Sequence, residues 1–212
     1  TDPKTDNSKK RRVWLHARTH PSETGSSFLV EGLINYLISE CNNDCKDADL
    51  SKLIFNIVPM VNIDGVVEGR ARVAPETSQD LERMWFRNKS DEYRLSDTCP
   101  PEVEAIHKAV AELDKKGPNF FAALNVHTKN AEPDWTPFIY TNFYSKNEKL
   151  GEPADSMFFK QISFIKILSD VYPCKDTLNI RPSFERDLPM SEKSYPEAWW
   201  WVNFKDKVMA AT

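Results

Sequence analysis

The chain has 212 residues, 40% of them hydrophobic, which is enough to bury one large core, so a single domain over 1–212 is expected rather than two. A formal charge of -4 gives no basic footprint for nucleic acid, and no apolar stretch approaches the roughly 20 residues that cross a bilayer. Four cysteines, Cys41, Cys45, Cys99 and Cys174, do not make a disulfide scaffold at this size, and neither compartment nor oligomeric state follows from them.

The basic run Lys9 to Arg12 reads as a solvated edge. Val13 to Ala17 predicts a short apolar strand, broken by Pro21-Ser22. After the break, Phe28, Leu29, Leu33, Tyr36 and Leu37 fall at helical spacing within Gly25 to Glu40. Cys41 to Cys45 reads as a surface loop at the helix exit. Leu53 to Val61 predicts a second strand running into Asn62-Ile63-Asp64-Gly65, a turn by composition. Pro101 to Lys116 predicts an amphipathic helix with an acidic first turn, stopped by Gly117-Pro118. Phe120 to Val126 is a third strand, Thr136 to Thr141 a fourth, Pro153 to Ser169 another helix and Lys207 to Thr212 a last strand. Buried strands interleaved with helices predict an α/β fold, three layers α/β/α around a mixed, mostly parallel sheet.

Ligand sites in such folds gather at the carboxyl ends of strands. His20 follows the first strand, in His20-Pro21-Ser22-Glu23, and His127 closes the third, so both reach one crevice despite their separation in the chain. Two imidazoles and one carboxylate leave the fourth position of a tetrahedral zinc ion to water, which separates a catalytic site from a closed structural one. Alone, an H-x-x-E or a histidine at a strand end is more often an ordinary polar residue. His16, alternating with the core in its strand, and His107, on a helix, read as structural.

Four segments in order sharpen this. His20-Pro21-Ser22-Glu23, Val58-Pro59-Met60-Val61-Asn62-Ile63-Asp64-Gly65, Asp80-Leu81-Glu82-Arg83-Met84-Trp85 and Asn125-Val126-His127 resemble, in sequence and order, the motifs of the zinc metallocarboxypeptidases of the funnelin type. That class includes the pancreatic carboxypeptidases and the cytosolic ones that trim glutamate. The resemblance covers most of positions 13 to 130. It implies one zinc ion per chain on His20, Glu23 and His127, and a peptide or protein C-terminus as substrate. It further implies that Arg72, with Arg70 as the neighbouring alternative, stabilises the oxyanion, and that Arg83 grips the terminal carboxylate with its guanidinium fork.

The sequence departs from the family at two places. Glu82 stands where an asparagine usually helps hold the substrate carboxylate, so it either pairs with Arg83 or shifts preference toward basic or modified substrates. The general-base glutamate of the family lies on a late strand, and Val208 to Thr212 resembles that strand, with the glutamate expected within a few positions of Thr212; both ends read as clipped. Within the chain Glu197 is the best substitute base, although Pro196 before it suggests a carboxylate in the first turn of a short helix. Tyr195 reads as a mobile site tyrosine or a packed aromatic. Trp199, Trp200 and Trp201 are not expected all to face one core. Beside a carboxypeptidase, two other functions stay open: an aspartoacylase-like hydrolase of N-acyl amino acids, and an inactive relative that keeps zinc without the base.

Overall fold

Alternation along the first strand explains how the helices are arranged. Strand β1 (Arg11–Ala17) turns Leu15 and Ala17 to one side, where Val30 of helix α1 (Gly25–Asn42) covers them. Trp14 and His16 face the other side, against Trp200 and Trp85. Both faces of β1 are therefore dry, as a central strand of a mostly parallel sheet requires. The computed structural model describes residues 6–42, 50–85, 99–128, 138–141, 155–171, 179–182 and 195–212.

The remaining elements follow as β2 (Leu53–Val58), α2 (Ile63–Val67), α3 (Pro101–Lys116), β3 (Phe120–Val126), β4 (Phe138–Thr141), α4 (Asp155–Val171), β5 (Asn179–Pro182), α5 (Pro196–Phe204) and β6 (Met209–Ala211). They form one mixed sheet in the order β2-β1-β3-β6-β4-β5. β1 lies parallel to β2 and β3, β3 parallel to β6, and β4 parallel to β5; only β4 against β6, at Thr141 and Ala211, is antiparallel. The expected α/β class with a mostly parallel sheet is what forms. The register of β1 on β3 sets His16 beside Asn125 and Ala17 beside Val126, so His20 and His127 leave the sheet at the same end.

Several local expectations change. β2 stops at Val58 because Pro59 has no N–H for the ladder. Asn62 to Gly65 is not a free turn but the start of α2: the Asn62 side chain caps the helix by accepting from the Gly65 N–H at 2.9 Å. The last strand begins at Met209, after a 3-10 turn over Lys205–Lys207. β5 had no counterpart in the sequence reading, and Cys45 lies outside the described residues.

The basic run is no uniformly solvated edge either. Lys10 and Arg12 are buried while Lys9 and Arg11 are exposed. The Arg12 guanidinium donates to the carbonyls of Gly117 (2.8 Å) and Pro118 (3.0 Å) and to Asn56 Oδ1 (3.3 Å), tying β1 to β2 and to the entry of β3.

The three tryptophans also differ from expectation. Trp200 is 1% exposed, Trp201 is buried, and Trp199 packs against the same main cluster. Three consecutive residues of α5 can do so because the helix is wrapped rather than laid on a flat face. Trp200 meets Trp14 and Phe120 of the sheet, while Trp199 lies between Trp85 and a His107 ring stacked on it at 4.3 Å. His107 and His16 are thus core residues. Burial pushes His16 down to about 4, against the opposing charge of Glu82. Tyr195, ahead of α5, is a packed aromatic.

Gly65 shows how tightly α2 sits beneath the H-P-S-E loop. A Cβ there would lie 2.5 Å from Asn62 Oδ1 and 2.5 Å from Pro21 Cγ. Gly65→Ala is expected to cost about 1–3 kcal/mol by overpacking and to lower the thermal midpoint by several degrees. An unchanged melting curve would refute this packing.

Candidate metal centre

The turn after β1 is built to present two side chains. Arg18 takes a left-handed conformation (φ 58) that swings the chain out of the sheet. Its guanidinium then folds back, Nε donating to the Pro21 carbonyl at 2.8 Å and Nη1 to Ser27 Oγ at 2.6 Å. Ser22 donates through both its N–H (3.1 Å) and Oγ (2.7 Å) to the Ala71 carbonyl, pinning the loop from the far side. Left-handed backbone costs about a kcal/mol or more for a residue with a side chain. These four hydrogen bonds offset it.

His20 and Glu23 project from this loop, and His127 meets them from the end of β3. Glu23 lies between the rings: Oε1 is 2.7 Å from His20 Nδ1 and Oε2 is 2.7 Å from His127 Nδ1. Oε2 also accepts from the Thr128 N–H at 3.0 Å. The ring centroids stand 4.7 Å apart. One ligand atom from each of the three residues lies within 4.8 Å of the others. Two imidazole nitrogens and a carboxylate, converging and largely buried, suit a zinc ion in both donor type and spacing.

On the reverse side of the rings, each Nε2 faces a carboxylate. His20 Nε2 is 3.1 Å from Asp80 Oδ1, and His127 Nε2 is 3.1 Å from Glu82 Oε2. Such outer carboxylates fix ring orientation in metal sites. They also set the charge states of the metal-free centre. Burial opposes ionisation of Glu23, yet its hydrogen bonds with His127 and His20 hold its carboxyl well below the usual range. Burial would lower His127, but the Glu82 charge and the Glu23 contact carry it up to about 10. His20 is raised despite burial, through Asp80 and Glu23. Asp80 and Glu82 are lowered against their own desolvation, mainly by His20 and His127 respectively.

Asp80, a residue of the third motif to which the sequence alone assigns no role, is the hub. Its Oδ2 accepts from Arg72 Nε at 2.7 Å and lies 3.5 Å from Arg83 Nε, while Oδ1 faces His20. Both sequence-nominated arginines therefore stand beside the metal ligands. Arg70 does not: it pairs with Glu68 at 3.0 Å. Of the two alternatives for the oxyanion arginine, Arg72 is the one held at the centre.

Glu82 does not pair with Arg83. Its Oε1 accepts from Asn125 Nδ2 at 2.7 Å, and its Oε2 faces His127. Glu197 lies in the first turn of α5, as expected from Pro196, but is buried and accepts from Thr212 Oγ1 at 3.0 Å. Thr212 in turn accepts from Asn125 at 3.3 Å. Thr212, Asn125 and Glu82 thus link Glu197 to His127.

Comparisons with known proteins place the chain in a family. The chain is 28% identical over 171 residues to cytosolic carboxypeptidase 6 of Caenorhabditis elegans, covering 80% of this chain and 33% of that protein. It is 42% identical over 73 residues to human cytosolic carboxypeptidase 1, covering 34% of this chain and 6% of that protein. Among solved structures, a metallo-carboxypeptidase from Burkholderia cenocepacia superposes with a TM-score of 0.69 at 20% identity, covering all of this chain and 49% of the other. Carboxypeptidase A from Helicoverpa armigera gives 0.65 at 16% identity, covering 97% and 52%. The chain thus spans a third or less of these curated relatives and about half of these solved structures. Nothing in these likenesses favours an acyl-amino-acid hydrolase or an inactive relative. The family model of the zinc carboxypeptidases matches residues 1–147, more than two thirds of the sequence, and the chain belongs to that family.

Proposed function

We propose that this chain forms the zinc-binding part of a carboxypeptidase that hydrolyses the last peptide bond of a peptide or protein, with His20, Glu23 and His127 as the metal ligands. The observation that carries the reading is the convergence of both histidine Nδ1 atoms on the two oxygens of Glu23. Zinc bound there would lower the pKa of a bound water to about 7 and polarise the scissile carbonyl. The chain's own groups orient the ligands and the substrate. Asp80 holds the His20 ring and steadies both guanidiniums. Arg72 supplies positive charge where the tetrahedral oxyanion develops. Arg83 binds the terminal carboxylate, the feature that would make cleavage exopeptidic.

The test is mass spectrometry of a peptide library offered with free or amidated C-termini, with and without chelator. Loss of single residues from free termini alone, abolished by chelator, is the expected result; cleavage of amidated peptides as well would sink the exopeptidase reading. Arg72→Ala and Arg83→Ala separate the two arginine roles. The first is expected to lower kcat by about 10²–10³-fold, as loss of an oxyanion donor does. The second is expected chiefly to raise KM for free-terminus peptides, with zinc content kept. An unchanged KM in Arg83→Ala would remove it from the substrate site.

A further inference from the structure

Glu82 is a carboxylate with an unexpected place and company. It is 3% exposed, it sits where the resembled motif has asparagine, and neither oxygen turns to a guanidinium. Oε1 is clamped by Asn125, whose amide is itself anchored on Thr212. Oε2 and His127 Nε2 face each other at 3.1 Å, an ion-pair contact without hydrogen-bond alignment, and neither atom has another partner among the described residues. A buried carboxylate oxygen without a donor and a buried ring nitrogen without a partner are each costly. They answer each other here. In the metal-free centre Nδ1 of His127 donates to Glu23; with zinc on Nδ1 the ring proton is left on Nε2, the atom that faces Glu82.

We propose that Glu82 is a positioning residue for the third metal ligand. It accepts the His127 Nε2–H and so fixes the tautomer and tilt that aim Nδ1 at zinc, doing for His127 what Asp80 does for His20. The glutamate reaches where an asparagine, one methylene shorter, falls short. The centre then has a carboxylate behind each histidine, and Glu82 is withdrawn from substrate recognition, which falls to Arg72 and Arg83. This inference rests on the zinc reading above.

The test compares the purified protein with its Glu82→Gln, Glu82→Asn and Glu82→Ala variants in zinc affinity, by chelator competition, and in the visible ligand-field spectrum after cobalt(II) substitution. Outer carboxylates of metal-bound histidines are typically worth about 10–100-fold in metal affinity. The expected order is wild type, then Gln, whose amide oxygen still accepts from Nε2, then Asn and Ala together at about 10–100-fold weaker binding with altered cobalt bands. Equal affinity and unchanged bands in Glu82→Ala would overturn the proposal while leaving the zinc reading intact. Failure of the wild type to bind zinc would overturn both. Should Glu82→Ala not fold, Glu82→Asn decides: wild-type affinity with wild-type bands in that variant overturns the proposal, and weakened binding with altered bands supports it.

Discussion

His20→Ala is expected to lose stoichiometric zinc and with it hydrolysis, while keeping the fold. Structural zinc peptides gain about 10–16 kcal/mol from complete tetrahedral sites, so one protein ligand carries about 3 kcal/mol, a loss of roughly a hundredfold or more in affinity. The fold should survive because the other members of the centre keep partners. Glu23 retains His127 and the Thr128 N–H, and Asp80 retains Arg72 and Arg83. Metal analysis after dialysis against a weak chelator, beside a melting curve of the metal-free protein, separates ligand loss from unfolding. Zinc retained at one equivalent would sink the assignment of His20.

The three proposed ligands, His20, Glu23 and His127, were legible in the sequence for a geometric reason. A strand that breaks at Pro21 places His20 and Glu23 in one turn, and a histidine closing a parallel neighbour emerges at the same sheet end. What surrounds them was not legible. Asp80 lies sixty positions from His20, and only the fold shows that its two oxygens divide between a histidine and two arginines. The one hint in the sequence was an aspartate close to both nominated arginines. Glu82 read as a negative group beside a substrate carboxylate, because sequence adjacency suggested Arg83; the 3-10 turn over Leu81–Arg83 instead sends Glu82 inward and leaves Arg83 part-exposed. β5 escaped notice because it is a short edge strand ending in Pro182, tolerated only where one side of the ladder is unused. The tryptophan run was misjudged because helical spacing says which residues share a face, not how many faces the rest of the protein covers.

That covering gives the largest expected stability effect, at Trp200. Its ring lies 5.4 Å from Phe120, 4.9 Å from Phe204 and 6.5 Å from Trp14, joining β3, the end of α5 and β1 in one cluster. Trp200→Ala removes a fully buried indole and is expected to cost about 3–5 kcal/mol. For a domain of this size that lowers the thermal midpoint by about 10 °C. Trp200→Phe should cost much less, since it keeps an aromatic body and deletes an indole N–H that has no partner among the described residues. The metal ligands sit at the far ends of β1 and β3, beyond this cluster, so zinc affinity of the folded fraction should change little in either variant. Calorimetry paired with zinc titration below the midpoint reads both quantities. A shift under about 3 °C in Trp200→Ala, less than 1–2 kcal/mol, would mean that the cluster around α5 does not hold the two strands together. A parallel collapse of zinc affinity would mean that α5 controls the ligands directly, through Glu197, Thr212 and Asn125.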